Sequence, residues 1–152
     1  MRALAILAAL LLAATPALAG EEDVQDSHYG TMAHVVADGD GWRLQDPSYS
    51  TVGYLQRDGS GWRVQDRSYS TVGYVIADGR DWKIQDAHYS TVGYLYPDGA
   101  WKVQDAHYST IGYVSPDGKV QDEHYSTLAY LGRPDPERVA AYFFFPRMLR
   151  GS

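Results

Sequence analysis

Four histidines occupy the same repeated slot in this chain, and each stands two residues after an aspartate. By residue type and spacing these are the first candidates for chemistry: His28, His88, His107 and His124. Imidazole nitrogens and carboxylate oxygens together can hold Zn²⁺ or Ni²⁺. Each aspartate can instead accept hydrogen bonds from backbone amides of its own turn. A structural turn is therefore the main interpretation, and a metal-binding rim is the alternative.

Aromatic residues recur with the same spacing, and aromatic faces can stack on sugars or cage choline-like cations. The tryptophans follow loops and are the candidate ligand contacts: Trp42, Trp62, Trp82 and Trp101. The tyrosines form two sets that we expect in the core, because few other large side chains could fill it. One set is Tyr29, Tyr49, Tyr69, Tyr89, Tyr108 and Tyr125; the other is Tyr54, Tyr74, Tyr94, Tyr113 and Tyr130.

The segment Asp105-x-His107-Tyr108-Ser109 contains the residue types of a hydrolase triad, and similar segments recur along the chain. A catalytic nucleophile needs one unique geometry with an oxyanion hole, so near-identical copies argue against a single active site. We therefore predict that the protein is not an enzyme and needs no cofactor. A small-molecule hydrolase is kept as the third functional hypothesis.

All these residues belong to a repeat of 17 to 20 residues, marked by an aliphatic residue followed by Gln-Asp. The copies begin at Val24, Leu44, Val64, Ile84, Val103 and Val120. Asp-Gly pairs separate short runs of β-branched and aromatic residues, which predicts β-hairpins. Repeats of this length bury a core only by contact with their neighbours. The sequence therefore predicts an all-β repeat domain over residues 20–131.

The two ends of the chain differ from the repeat. Residues 1–19 combine Arg2, an apolar run and a small-x-small ending at Ala19, which predicts a signal peptide and export. Residues 132–152 are predicted to be an apolar cap and tail. Asp135 followed by proline is typical of a helix start, although the aromatic run 142–145 could also form a strand or plug.

One small residue recurs inside the first strand of the repeat. Glycine stands at Gly53, Gly73, Gly93 and Gly112, two residues after a threonine. Glycine inside a strand often marks the close approach of another group. We expect it to make room for a tryptophan of an adjoining strand.

The composition excludes several partners. The chain has 19 acidic and 13 basic residues and a net charge of −6, whereas nucleic-acid binding favours clustered Lys and Arg. The absence of cysteine excludes disulfides and thiolate metal sites. No membrane span is expected after cleavage of the signal peptide, so we predict a periplasmic or secreted protein.

Tandem copies of Gln-Asp-x-x-Tyr-x-Thr-(Val/Ile)-Gly-Tyr with a later Asp-Gly, followed by Ala140 to Phe145, resemble the bacterial five-fold β-flower proteins. The resemblance spans Val24 to Phe145. It implies a closed ring of short β-hairpins around an axis in an exported protein, and it carries over no catalytic residues. The sequence holds five Asp-Gly hairpins, so we expect a ring of five hairpin repeats that the two terminal strands close by pairing, and the alternative is that this pair forms a sixth repeat. Choline-binding wall repeats are the second resemblance, but their paired aromatic arrangement is not reproduced here.

Two functional hypotheses lead from these observations. The first is a non-catalytic structural or interaction module, with an envelope protein among the candidate partners. The second is a carbohydrate or cell-wall binding module that uses the repeated Trp and Tyr.

Overall fold

The computed structural model describes residues 20–150, and the chain folds there into one closed antiparallel sheet. The predicted signal peptide, residues 1–19, lies outside the described residues. The strands are β1 (Glu21–Asp26), β2 (Thr31–Asp38), β3 (Gly41–Gln45), β4 (Thr51–Asp58), β5 (Gly61–Asp66), β6 (Thr71–Asp78), β7 (Asp81–Asp86), β8 (Thr91–Asp98), β9 (Ala100–Asp105), β10 (Thr110–Val114), β11 (Lys119–Asp122) and β12 (Thr127–Tyr130). Each strand pairs with its neighbours in the chain, and β1 pairs with β12. The predicted all-β closed ring is confirmed.

Two kinds of turn alternate around the ring and form its two rims. At the Asp-Gly rim, the turn glycines have φ between 63° and 91°, the left-handed region that a hairpin of this kind requires: Gly39, Gly59, Gly79, Gly99 and Gly118. At the opposite Gln-Asp rim, six turns follow the Gln-Asp phrases. The ring therefore has six units, because the pair of β12 and β1 stands where a sixth Asp-Gly hairpin would be.

One aliphatic residue from each of the strands β1 to β11 faces the interior, and together these residues form the main layer of the core. Each of them has at most 1% of its surface exposed: Val24, Val35, Leu44, Leu55, Val64, Val75, Ile84, Leu95, Val103, Val114 and Val120. Alternation along each strand places polar residues and the strand tyrosines on the outer face. Burial of this layer supplies most of the hydrophobic stabilisation of the ring.

The C-terminal segment fills the interior of the ring with two short helices, α1 (Pro136–Phe144) and α2 (Pro146–Leu149). Asp135 is the N-cap of α1 and Pro136 is its first helical residue, as the sequence predicts. Three small residues of α1, Val139, Ala140 and Ala141, are fully buried. The aromatic run is thus a helical plug. Within the described range, neither helix has the length and the apolar character needed to cross a membrane.

The strand glycines face this plug, not a tryptophan, so the prediction about their neighbours is wrong. A Cβ at Gly93 would lie 2.2 Å from the Phe144 ring, and a Cβ at Gly53 would lie 2.3 Å from the Met148 sulfur. Gly73 and Gly112 face Phe145 and Phe143 in the same way. The tryptophans share the inner face but lie one layer nearer the Asp-Gly rim, since Trp42 pairs with Leu55 and not with Gly53.

Candidate functional site

The Gln-Asp turns are built by their own aspartates, and the fourth turn shows how. The backbone N–H of Asp86 donates to the Ser90 carbonyl at 2.9 Å, and Tyr89 N–H donates to the Asp86 carbonyl at 3.1 Å. The Asp86 carboxylate accepts the backbone N–H groups of His88 at 2.8 Å and Ser90 at 3.0 Å. These amide donors, Ser90 first, lower the pKa of Asp86. The aspartate thus serves as the local cap that the sequence predicts.

The third residue after each of these aspartates is a tyrosine in the left-handed region, with φ between 66° and 70°. The left-handed region is uncommon for a residue other than glycine. Between 57% and 65% of each side chain is exposed: Tyr29, Tyr49, Tyr69, Tyr89, Tyr108 and Tyr125. We call this set the tyrosine rim. Its expected place in the core is wrong, because α1 and α2 supply the large side chains that fill the ring.

Each rim tyrosine stacks on an aromatic residue of a strand. Tyr89 lies on Tyr74 with ring centroids 4.8 Å apart, and their hydroxyl groups are 3.0 Å apart. Tyr108 stacks on Tyr94 in the same way, and its hydrogen bond is the main cause that raises the pKa of Tyr94 to about 12. Stacked aromatic pairs contribute roughly 0.5–1.5 kcal/mol beyond their buried area. The pairs hold the rim tyrosines in fixed positions on the outer surface.

The histidines of the repeated slot project from separate turns. His28, His88, His107 and His124 are all exposed. Their neighbouring aspartates are occupied by backbone amides, as in His107 N–H to Asp105 at 2.8 Å. The structure does not bring these four side chains together with one another. Metal binding by them stays a prediction.

The tryptophans lie on the inner face around the first turn of α1. Trp101 donates its indole N–H to the Pro134 carbonyl at 2.7 Å. Arginines cover two of the other rings: Arg57 is 4.6 Å from the centroid of Trp62, and Arg138 is 4.3 Å from that of Trp42. Only 7% of Trp62 is exposed, whereas Trp42, Trp82 and Trp101 are half-buried.

An open cleft of about 420 Å³ lies beside these rings, lined by Trp42, Trp62 and Trp82 together with Asp135 and Glu137. The structure thus brings three of the four predicted ligand-contact tryptophans to one cleft at the Asp-Gly rim. Binding of a ligand there stays a prediction.

The first unit carries a group that the sequence analysis missed. His34 replaces the strand tyrosine of the other units and stacks on Tyr49, with ring centroids 3.9 Å apart. Its Nδ1 lies 2.7 Å from an oxygen of Asp23 and 2.9 Å from one of Glu21. The charge of Glu21 is also the main cause that raises the pKa of the Tyr49 hydroxyl. In the sequence this group is visible only as two separate departures from the repeat, His34 and Asp23. The strand register shows that these two residues lie opposite each other.

Comparison with known proteins gives one match that covers most of the chain. The model of a family described as 5-fold beta-flower protein matches residues 21–146. The chain belongs to this beta-flower family. No curated protein and no solved structure matches it. Membership agrees with the closed hairpin ring and indicates a structural β-repeat module of a family not known as catalytic.

The plug of this beta-flower ring carries a buried arginine that pairs with a partly exposed carboxylate of the ring. Arg138 of α1 is fully buried and contacts the carboxylate of Glu22 on β1. Burial lowers the pKa of Arg138 to about 10. Glu22 stands at the position that Trp42 occupies in the next unit, so the pair replaces an aromatic contact between ring and plug.

A second buried charge, Glu137, makes the stability of the beta-flower fold depend on pH. Burial raises its pKa from an ordinary value of 4.5 to about 7, although its own backbone amide and Trp42 partly oppose the rise. Below about pH 4 the folded and unfolded states both hold the proton. As the pH rises from 4.5 to about 7, the unfolded state ionises while the folded state still holds the proton, so the folded state is progressively destabilised; above pH 7 both states are ionised and the penalty stays constant.

We expect Glu137→Gln to remove this penalty. At about pH 8.5 the variant should be about 3 kcal/mol more stable than the native chain, and near pH 4 the two should be equal. Urea denaturation at both pH values measures the difference. The exposed Glu123→Gln is the matched control and should change little at either pH. Equal stability of Glu137→Gln and the native chain at pH 8.5 would show that the pKa of Glu137 is not raised by burial.

Proposed function

We propose that this protein is an exported, non-catalytic interaction module that binds a cell-envelope polysaccharide through its tyrosine rim. The observation that carries the proposal is that all six units hold an exposed tyrosine at positive φ. Glycine would satisfy this backbone conformation without strain. Conformations of this kind cluster at functional sites when the surrounding structure maintains them.

The exposed surface of each rim tyrosine suits recognition. One face of Tyr89 stacks on Tyr74, and the exposed 65% of Tyr89 leaves ring surface and hydroxyl edge open to a ligand. Tyrosine combines a large apolar surface with a polar handle and loses little conformational entropy on binding. Each turn therefore offers a shallow aromatic platform, a form that suits a sugar ring better than a small molecule needing a deep pocket.

Repetition of the platform favours a repetitive partner. The six turns lie on one rim of a closed ring, so their platforms are held at fixed separations. Weak contacts in such an array add up when the partner repeats the same chemical group. A polysaccharide chain has this property. The signal peptide predicted over residues 1–19 supports a location in the cell envelope or outside the cell.

The geometry of the repeated Asp-x-His-Tyr segment supports a non-catalytic role. In a hydrolase triad the aspartate accepts a hydrogen bond from the histidine ring. Here the Asp105 carboxylate accepts the backbone N–H groups of His107 and Ser109, at 2.8 and 3.0 Å. This carboxylate is engaged in building the turn instead of orienting an imidazole.

The test is co-sedimentation of the mature protein, from Gly20 onward, with peptidoglycan and a panel of insoluble polysaccharides. The variant is the double substitution Tyr69→Asn and Tyr89→Asn, because asparagine tolerates positive φ and preserves the turns. We expect saturable binding by the native protein and a loss of at least about fivefold in affinity in the variant. Circular dichroism confirms that the variant folds.

A matched variant distinguishes the second candidate, glycan binding in the tryptophan cleft. Trp82→Ala is suitable because Trp82 is half-buried and lines the cleft, whereas Trp62 is a core residue. Binding that survives Trp82→Ala and falls with the tyrosine variant supports the rim. The reverse result would move the site to the cleft, and no saturable binding to any matrix would overturn the polysaccharide partner.

A further inference from the structure

We propose that Glu21, Asp23 and His34 form a binding site for one divalent transition metal on the outer face of the first unit. The site touches the tyrosine rim only at Tyr49, and the metal proposal does not depend on polysaccharide binding. The three residues are the histidine-carboxylate group of the described chain whose ligand atoms all lie within 4.8 Å of one another.

The separations between the ligand atoms fit a metal. His34 Nδ1 is 2.7 Å from Asp23 Oδ1 and 2.9 Å from Glu21 Oε2. Metal bonds to nitrogen and carboxylate oxygen are about 2.0–2.2 Å long, so two ligands at right angles stand about 3 Å apart. The three donors therefore need only small shifts to coordinate one ion.

Charge gives a second argument. The two carboxylates converge on one imidazole nitrogen, which carries at most one proton and can donate only one full hydrogen bond. Even a protonated His34 would leave this group with an excess negative charge. A divalent cation that replaces the proton would balance both carboxylates of Glu21 and Asp23.

The strand register supplies the strongest argument, because it allows the six units to be compared position by position. In five units the strand tyrosine lies directly opposite a cationic residue. These pairs are Tyr54 with Arg43, Tyr74 with Arg63, Tyr94 with Lys83, Tyr113 with Lys102, and Tyr130 with Lys119. In the first unit the pair is His34 with Asp23. Both members of the pair therefore differ from the other units: His34 stands in place of the tyrosine, and the anionic Asp23 stands in place of the Arg or Lys.

The surroundings hold the ligands and leave the site accessible. His34 is only 5% exposed, and its ring is fixed by stacking on Tyr49. Glu21 and Asp23 are on the same face of β1, are themselves exposed, and line an open cleft of about 560 Å³. An ion can thus reach a preformed imidazole and retain solvent ligands in its remaining positions.

The donor set indicates which ions would bind. One imidazole and two carboxylates suit Zn²⁺, Mn²⁺, Fe²⁺, Co²⁺ or Ni²⁺ better than Mg²⁺ or Ca²⁺, which favour oxygen ligands alone. Among the divalent ions of the first transition row, Cu²⁺ binds such sites most tightly. A hydrogen-bonded pair without metal would also place these atoms close together, so direct metal titration is the deciding measurement.

The experiment is isothermal titration of the metal-free mature chain with Zn²⁺, repeated with Co²⁺ so that the visible absorption of cobalt reports its ligands. The deciding variant is His34→Tyr with Asp23→Lys, which gives the first unit the pattern of the other five and is therefore expected to fold. A second variant, His34→Gln, covers the case in which the double variant does not fold. The matched control is His88→Ala with His107→Ala, which removes two exposed turn histidines.

We expect one equivalent of Zn²⁺ to bind the native chain and the control with equal affinity. Both site variants should lose at least about 100-fold in affinity, since each removes a direct ligand. Co²⁺ absorption should disappear with them. No stoichiometric binding by the native chain would overturn the proposal, as would binding unchanged in the site variants. Weaker binding in the control than in the site variants would assign the ion to the turn histidines instead.

Discussion

Replacing Gly93 with alanine is expected to destabilise the ring by about 3 kcal/mol, at the upper end of the range for overpacking. The new Cβ would lie 2.2 Å from the Phe144 ring and 2.6 Å from the backbone carbonyl oxygen of Gln104. The ring can shift only by disturbing the packed plug, and the carbonyl belongs to the neighbouring strand. Urea denaturation followed by tryptophan fluorescence measures the loss.

A double-mutant cycle tests whether the plug causes this effect. Phe144→Ala alone should destabilise the native chain, because it removes an aromatic contact from the interior. In the Gly93→Ala background the same substitution should cost clearly less, since it relieves the clash. The close approach of Gln104 remains, so the rescue is partial. Full additivity of the two substitutions, or a Gly93→Ala chain as stable as the native one, would show that Phe144 does not occupy this position.

The local chemistry of the turns made much of the fold predictable. An Asp-Gly pair such as Asp58-Gly59 needs no distant residue to favour a hairpin, and Gly59 has the positive φ that this requires. The capping role of the Gln-Asp aspartates is equally local, since Asp86 bonds to amides two and four residues later. The helix start at Asp135 and Pro136 follows from the same kind of short-range rule.

The contents of the ring were not predictable in this way, because they depend on contacts between distant residues. The residues near Gly93 in the sequence give no indication that Phe144 is its neighbour in the fold. An extra residue at each Gln-Asp hairpin, such as Val52 between Thr51 and Gly53, also shifts the register. Simple alternation along the strand therefore assigns Val52 to the outer face, although it packs against the core.

The candidate metal group could not be predicted from the sequence either, because it depends on how the strands pair. His34 and Asp23 could each be seen to depart from the repeat, but neither departure has a meaning alone. Only the pairing of β1 with β2 shows that they are opposite residues. The tyrosine rim was missed for a related reason: tyrosine favours strands and cores. Its exposure at positive φ is imposed by the turn.

The largest expected loss comes from Glu22→Ala, which we expect to destabilise the fold by about 3–5 kcal/mol. Arg138 has no exposed surface, and two of its nitrogens, Nε and Nη2, are buried without a hydrogen-bond partner. Its contact with Glu22 is what compensates for burying the charge. Removing the carboxylate would leave a buried guanidinium without a side-chain hydrogen-bond partner among the described residues, next to the face of Trp42. Urea denaturation at pH 7 measures the change.

Two further variants separate the charge from the packing. Glu22→Gln keeps the size and one acceptor oxygen, so it should lose less stability than Glu22→Ala. The double variant Glu22→Leu with Arg138→Met removes both charges and should recover most of the loss, because apolar replacements of a buried pair are often neutral or stabilising. A double variant no more stable than Glu22→Ala would show that the contact stabilises the fold through the packing of the two side chains and not through their charges. The plug would then be held by the packing of Val139 to Tyr142, and the ion pair would serve only to fix its register against β1.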